Sequence, residues 1–197
     1  MFPRYLTDDK NLARLREFTI LKSEALFTRD FKNLLEIGPP RTSGALNSPI
    51  FEKKPQWYVS IENLCRDYSV LYSSLDLDYT AKPTYCGSID DPKLLLSFSR
   101  LTKFERVVAF SILEHVNNPF VAISNMRKML SIGGELHLLT PWDLRFHGPR
   151  PDCWRISDDG YRSLLASHFT IMQMDFLKQS HRPLSPVAIY VVAKRDS

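Results

Sequence analysis

The stretch Phe104–Trp142, FERVVAFSILEHVNNPFVAISNMRKMLSIGGELHLLTPW, decides the fold when it is set beside Asn33–Gly44, NLLEIGPPRTSG. The longer segment reads strand, loop, helix, Gly-Gly turn, strand. Arg106–Phe110 has the composition of a short buried strand. Asn117 or Asn118 can cap the next helix, and Pro119 suits its first position, where an N–H has no intrahelical partner. Phe120, Ile123, Met126, Met129 and Leu130 recur at helical offsets and form the expected apolar stripe. Gly133-Gly134 is expected to stop that helix. Glu135–Thr140 reads as the next strand, ended by Pro141. In the shorter segment, Asn33–Ile37 is an apolar strand ended by Gly38, and Pro39 and Pro40 have no N–H with which to continue a ladder.

The same pattern extends in both directions. Asn11–Phe27 has roughly helical spacing, with Asp8 or Asp9 at its start. Gly44–Pro55 is irregular. Tyr58–Tyr68 reads as a helix followed by a strand at Val70–Leu77; the competing reading makes Trp57–Ile61 the strand, ending on Glu62. Thr84–Cys86 is a short strand before Gly87, and Pro92–Leu101 is apolar at helical spacing. Trp142–Ser157 is a long loop, after which Ser157-Asp158-Asp159 begins a helix to about Ser167. Phe169–Phe176 and Ala188–Lys194 are the final strands. Such alternation implies a mostly parallel sheet covered on both faces, and two last strands without an intervening helix imply an antiparallel edge hairpin. The expected organisation is an N-terminal helical extension over 1–30 packed on one domain over 31–197.

The two quoted segments together resemble the first and the fourth-to-fifth strand motifs of class I S-adenosylmethionine-dependent methyltransferases, in a small bacterial form similar to methyltransferase type 11. The resemblance implies an α/β fold: a Rossmann-like seven-stranded, mostly parallel sheet with helices on both faces. It implies S-adenosylmethionine as cofactor, S-adenosylhomocysteine as product and no metal. By the same resemblance, Gly38 lines the methionine portion of the cofactor and Glu36 orients the turn or the cofactor amine. The acid at the end of the second strand holds the ribose; Asp76 fits, with Glu62 as the alternative. Ser88 stands where the family commonly has an acid near the adenine amino group, and Ile89 is placed to pack on the adenine face. Ser111, Leu113 and the rest of the stretch to His115 face the cofactor and the substrate entry.

Two departures stand out. The family's Gly-x-Gly turn is Gly38-Pro39-Pro40 here, and the lost N–H donors weaken any binding that relied on them, by ~1.5–3 kcal/mol for a charge-assisted bond. Ser88 offers a neutral acceptor where a carboxylate is usual. These departures motivate a rival reading, a methyltransferase-like scaffold or binding protein that does not turn over. A dinucleotide reductase fits poorly, because the spaced glycines of GxGxxG are missing.

Composition narrows the function classes. The chain has 197 residues, 44% of them hydrophobic and 24% charged. No apolar run approaches the ~20 residues of a membrane span, and the first residues carry no secretion-signal pattern, so the expected compartment is the cytoplasm. Cys65, Cys86 and Cys153 lie far apart in no zinc-like spacing. A net charge of +4, without a basic run, argues against nucleic acid as partner and leaves a small-molecule acceptor.

The long connector WDLRFHGPRPDCWRI, 142–156, follows the fifth strand and so emerges beside the cofactor edge of the sheet. Its Trp154-Arg155 pair resembles a signature of some small class I methyltransferases of carbohydrate or secondary-metabolite pathways. Arg145, Trp154 and Arg155 are the candidate substrate-binding residues, the arginines for an anionic group and the aromatic for the sulfonium. An opposing reading makes this a packed loop with Trp154 as anchor and Arg155 paired to an acid. His115, His147 and Asp152 are the candidate bases for O- or N-methylation, since an imidazole with a pKa of ~6.5 can take the acceptor's proton.

Overall fold

A computed structural model of the chain describes residues 9–39, 60–98, 102–144, 146–179 and 184–197. Helix α1 (Asp9–Ala25) leads into β1 (Asn33–Ile37), α2 (Ile61–Asp67), β2 (Leu71–Asp76), β3 (Tyr85–Cys86), β4 (Phe104–Phe110), α3 (Pro119–Met129), β5 (Leu130–Pro141), α4 (Asp158–Leu165), β6 (Phe169–Leu177) and β7 (Ala188–Arg195). The strands form one seven-stranded sheet in the order β3-β2-β1-β4-β5-β7-β6. β1 pairs in parallel with β2 and β4, β2 with β3, and β4 with β5; β7 is antiparallel to both β5 and β6. The sheet order reverses between β1 and β4, which opens a crevice at their carboxyl ends.

Alternation along the central strands makes the two faces. Leu35, Val107, Ala109, Leu136 and Leu138 point to one side, where Ile123 and Met126 of α3 and Tyr161 and Leu165 of α4 cover them. Leu34 and Val108 point to the other, against Ile61 and Cys65 of α2. Leu139 and Tyr190 share that second face with Leu15 of α1. Lys22 of α1 also pairs with Asp175 of β6, so the first helix is tied to the sheet edge. Tyr58–Tyr68 thus contains a helix, as its spacing predicts, with Ser60 accepting from the Asn63 N–H as N-cap.

Several details differ from the sequence reading. α3 is capped by Asn118 and has Pro119 in its first turn, but it ends at Met129 before the glycine pair. Leu130 turns straight into β5, with extended backbone. Gly133 (φ +76°) and Gly134 lie inside β5, where its register with β4 shifts between Phe104 and Arg106. A Cβ on Gly134 would meet the Glu105 carbonyl at 3.0 Å, so close strand approach, not helix termination, calls for glycine there. Phe120 lies off the buried stripe and is exposed. Among its described residues, Pro92–Leu101 contains only a 3-10 turn, Leu94–Ser97, because Leu94 and Leu96 bond three residues back, to Asp91 and Lys93. Gly44–Pro55, Pro40, Leu101 and Arg145 lie outside the described residues.

Candidate functional site

The carboxyl ends of β1, β2 and β4 bring the predicted cofactor residues to one edge. Gly38 follows β1 with φ +62°, and its N–H donates to Leu75 O at 2.8 Å, which ties the turn to the end of β2. One residue before the end of β1, Glu36 is buried and accepts a 2.7 Å hydrogen bond from the Tyr72 hydroxyl. Burial pushes its carboxyl up to about 7, the Tyr72 bond opposes that rise, and the charge of Glu62 adds to it. Asp76 closes β2; it is buried, and its Oδ1 accepts from the Asp78 N–H at 2.8 Å. Glu62, the alternative, sits exposed in the first turn of α2.

After β3, the Ser88 hydroxyl donates to Asp90. The Asp90 carboxylate makes two further bonds. Its Oδ2 accepts from the backbone N–H groups of Asn117 and Asn118 at 2.8 and 3.3 Å, joining the turn after β3 to the start of α3, while Asp91 bonds the Lys93 N–H. Together with Ser88, these bonds hold the Asp90 carboxyl below its ordinary range, against the effect of burial. Ile89 and Leu113 are buried in the large core cluster.

The turn after β4 is the second half of the site. Ser111 adopts φ +56° and donates its N–H to Leu139 O. Such a conformation in a non-glycine residue costs about 1–2 kcal/mol, offset here by the surrounding structure. It swings the next residues, Ile112–His115, across the end of the sheet. Glu114 is fully buried, and among the described residues neither of its carboxylate oxygens has a hydrogen-bond partner. Its Oε1 lies 3.9 Å from His115 Nε2 and 3.8 Å from His147 Nε2. Sequence reasoning named both histidines but gave Glu114 no role; the Glu-His pair was the only signal, since His147 arrives from the loop after β5.

That loop is pinned onto the turn after β4. The N–H groups of Cys153 and Trp154 donate to Glu114 O at 2.7 and 3.3 Å, Trp154 Nε1–H donates to Val116 O, and His115 Nδ1–H donates to Pro151 O at 2.7 Å. Trp154 is therefore an anchor, although the residue remains 40% exposed. Arg155 acts within the loop. Nη1 donates to Asp152 Oδ1 and Trp154 O, Nη2 to Asp152 Oδ2 and Leu144 O, and Nε to Leu144 O, so the whole fork is engaged. These bonds agree with the packed-loop reading of the sequence, in which Arg155 pairs with an acid, rather than with an anion receptor. The Arg155 pair holds the Asp152 carboxyl far below the usual carboxylate range, helped by the His147 N–H at 3.0 Å, which counts against Asp152 as a base.

No protein-family model and no curated protein matches the sequence. Solved structures do match the fold. An N-methyltransferase, NodS, from Bradyrhizobium japonicum WM9, in complex with S-adenosylhomocysteine, aligns at TM-score 0.58 and 17% identity, over 98% of this chain and 92% of that one. A SAM-dependent methyltransferase from Archaeoglobus fulgidus aligns at TM-score 0.65 and 12% identity, over 91% and 94%. The chain has the class I methyltransferase fold. A third similar structure of this fold, the 1,6-didemethyltoxoflavin-N1-methyltransferase from Burkholderia thailandensis, aligns at TM-score 0.59 and 10% identity, over 93% and 79%. Among the described residues, no helix is long and apolar enough to cross a membrane.

Proposed function

We propose that the protein transfers a methyl group from S-adenosylmethionine to the oxygen or nitrogen of a small-molecule acceptor, in a carbohydrate or secondary-metabolite context. The observation that carries this reading is the set of groups at the reversal point of the class I sheet: the left-handed Gly38 turn, buried Glu36 and buried Asp76. Similar structures of N-methyltransferases with bound S-adenosylhomocysteine support it.

Each group then has a task. Gly38 lets the cofactor approach backbone, Asp76 accepts from the ribose hydroxyls, and Ser88 keeps oxygen lone pairs for the adenine amino group after donating to Asp90. Glu36 offers a buried acceptor to the cofactor amine. The acceptor's lone pair attacks the methyl carbon as the carbon–sulfur bond breaks, and the bonding pair stays on sulfur. Because the sulfonium is already activated, the protein mainly aligns atoms ~3–3.5 Å apart. The acceptor's proton goes to the cluster of Glu114, His115 and His147, which lies beyond β4 on the same edge. Trp154 lines the entry.

A scaffold without turnover is the second reading, favoured by Pro39, which brings no N–H to the first turn. Incubation with methyl-labelled cofactor and a panel of hydroxyl and amine acceptors separates the two: label transfer supports the enzyme, whereas cofactor binding with no transfer to any acceptor supports the scaffold.

A further inference from the structure

Three potential ligand atoms, one each from Glu114, His115 and His147, converge after β4. His115 Nδ1 faces the Pro151 carbonyl at 2.7 Å. A carbonyl only accepts, so in the neutral ring the proton is on Nδ1, and Nε2 presents a lone pair. His147 Nδ1 lies 3.5 Å from Asp152 Oδ2, and Asp152 is held ionised by Arg155, so the same tautomer is favoured. Both Nε2 atoms therefore aim lone pairs at Glu114, whose two buried oxygens lack hydrogen-bond partners among the described residues. One ligand atom from each residue fits within a 4.8 Å span.

An unpaired buried carboxylate facing two imidazole lone pairs is unstable unless positive charge sits between them. We propose that Glu114, His115 and His147 bind one divalent first-row transition ion of the zinc, iron(II) or manganese class. Two imidazoles and a carboxylate are a suitable donor set for such ions, and they leave coordination positions open. A tetrahedral ion with ligands at ~2.0–2.1 Å needs donors about 3.4 Å apart. The carboxylate-to-imidazole separations, 3.8 and 3.9 Å, reach that by small rotations of the two rings.

The surroundings match a built site. Each imidazole has its far nitrogen against a carbonyl or a carboxylate, which orients the ring and raises its basicity. Arg155 fixes that carboxylate in turn. The histidine side chains are 12% and 24% exposed while Glu114 is fully buried, so entry is from the histidine side. At this position the ion would bind the acceptor's hydroxyl and ease loss of its proton to water on the exposed histidine side, taking the place of a histidine base. That role rests on the proposed methyl transfer; binding of the ion does not.

The test uses the full chain freed of metal by dialysis against a chelator. Co2+ is titrated in and followed by its visible d–d absorption, with Zn2+ as competitor and without cofactor. Saturation at one equivalent is expected, reversed by Zn2+. Glu114→Gln and His147→Ala should each weaken it ~100-fold, and Asp152→Asn ~10-fold through the lost orientation of His147. Circular dichroism of each variant checks folding; His147 is on the surface loop, so its variant remains informative if Glu114→Gln fails to fold. A folded wild type with no saturable signal, or unchanged affinity in His147→Ala, overturns the site. A protein that binds Co2+ but not S-adenosylmethionine keeps this inference and loses the methyl-transfer reading; the converse result does the opposite.

Discussion

A Cβ on Gly38 would stand 2.2 Å from Cδ1 of Ile112, so the turn after β1 and the turn after β4 meet at this pair. The contact joins the two halves of the crevice. Gly38 also needs φ +62°, a region that costs an L-residue about 1–2 kcal/mol. Gly38→Ala should therefore lower unfolding free energy by ~1–2 kcal/mol in urea melts and weaken cofactor binding by displacing Ile112. Adding Ile112→Val should recover part of the affinity and none of the backbone strain. Full recovery of stability in the double variant would mean that the clash, not the backbone, was the cost.

Glu36 makes stability depend on pH. Its ordinary value is 4.5 and burial raises it to about 7, so the folded chain holds a proton that the unfolded chain has released. The folded state then binds more protons between those limits, and stability falls as pH rises through that window. Glu36→Gln removes this dependence while still accepting from Tyr72. The variant should be more stable than wild type at about pH 8, by up to ~3 kcal/mol, with the advantage gone near pH 4. Equal slopes for both proteins across that range would show that Glu36 titrates normally.

Asp76→Ala should weaken S-adenosylmethionine binding at least tenfold, the loss of a charged acceptor worth ~1.5–3 kcal/mol. Glu62→Ala, on an exposed helix turn, should leave affinity unchanged. Reversed outcomes in calorimetry would move the ribose site to α2.

Much of this was legible in the sequence, and the limits are physical. β1 was read at its true bounds because a short apolar run ended by Gly-Pro has few alternatives. α3 was read at its start because Asn118 and Pro119 act locally. Its end was misplaced because Gly133-Gly134 is used for strand approach, a tertiary demand invisible in local pattern. Arg155 was read two ways, as an anion receptor or as the partner of an acid, because arginine binds both; the acid is Asp152, three residues back in the same loop. The role of Glu114 depends on His147 arriving from beyond β5, and no spacing rule announces that meeting.

Arg155→Lys replaces a five-donor fork with a single ammonium. The loop over 146–157 should loosen, lowering the melting temperature by roughly 3–8 °C for a chain of this size. Because Asp152 is held below its ordinary range, its contribution is present above that range and is lost as pH falls through its lower folded value. The gap between wild type and Arg155→Lys should thus persist from neutral pH down to about pH 4 and narrow only in stronger acid. Unchanged melting with impaired acceptor turnover alone would restore Arg155 to the substrate.

The most direct measurement is a calorimetric titration of the purified protein with S-adenosylmethionine and with S-adenosylhomocysteine. Saturable, micromolar binding of at least one of them, accompanied by a rise in melting temperature, is the predicted result. No heat and no thermal stabilisation at millimolar ligand would contradict the account, leaving a class I methyltransferase fold that does not use the cofactor.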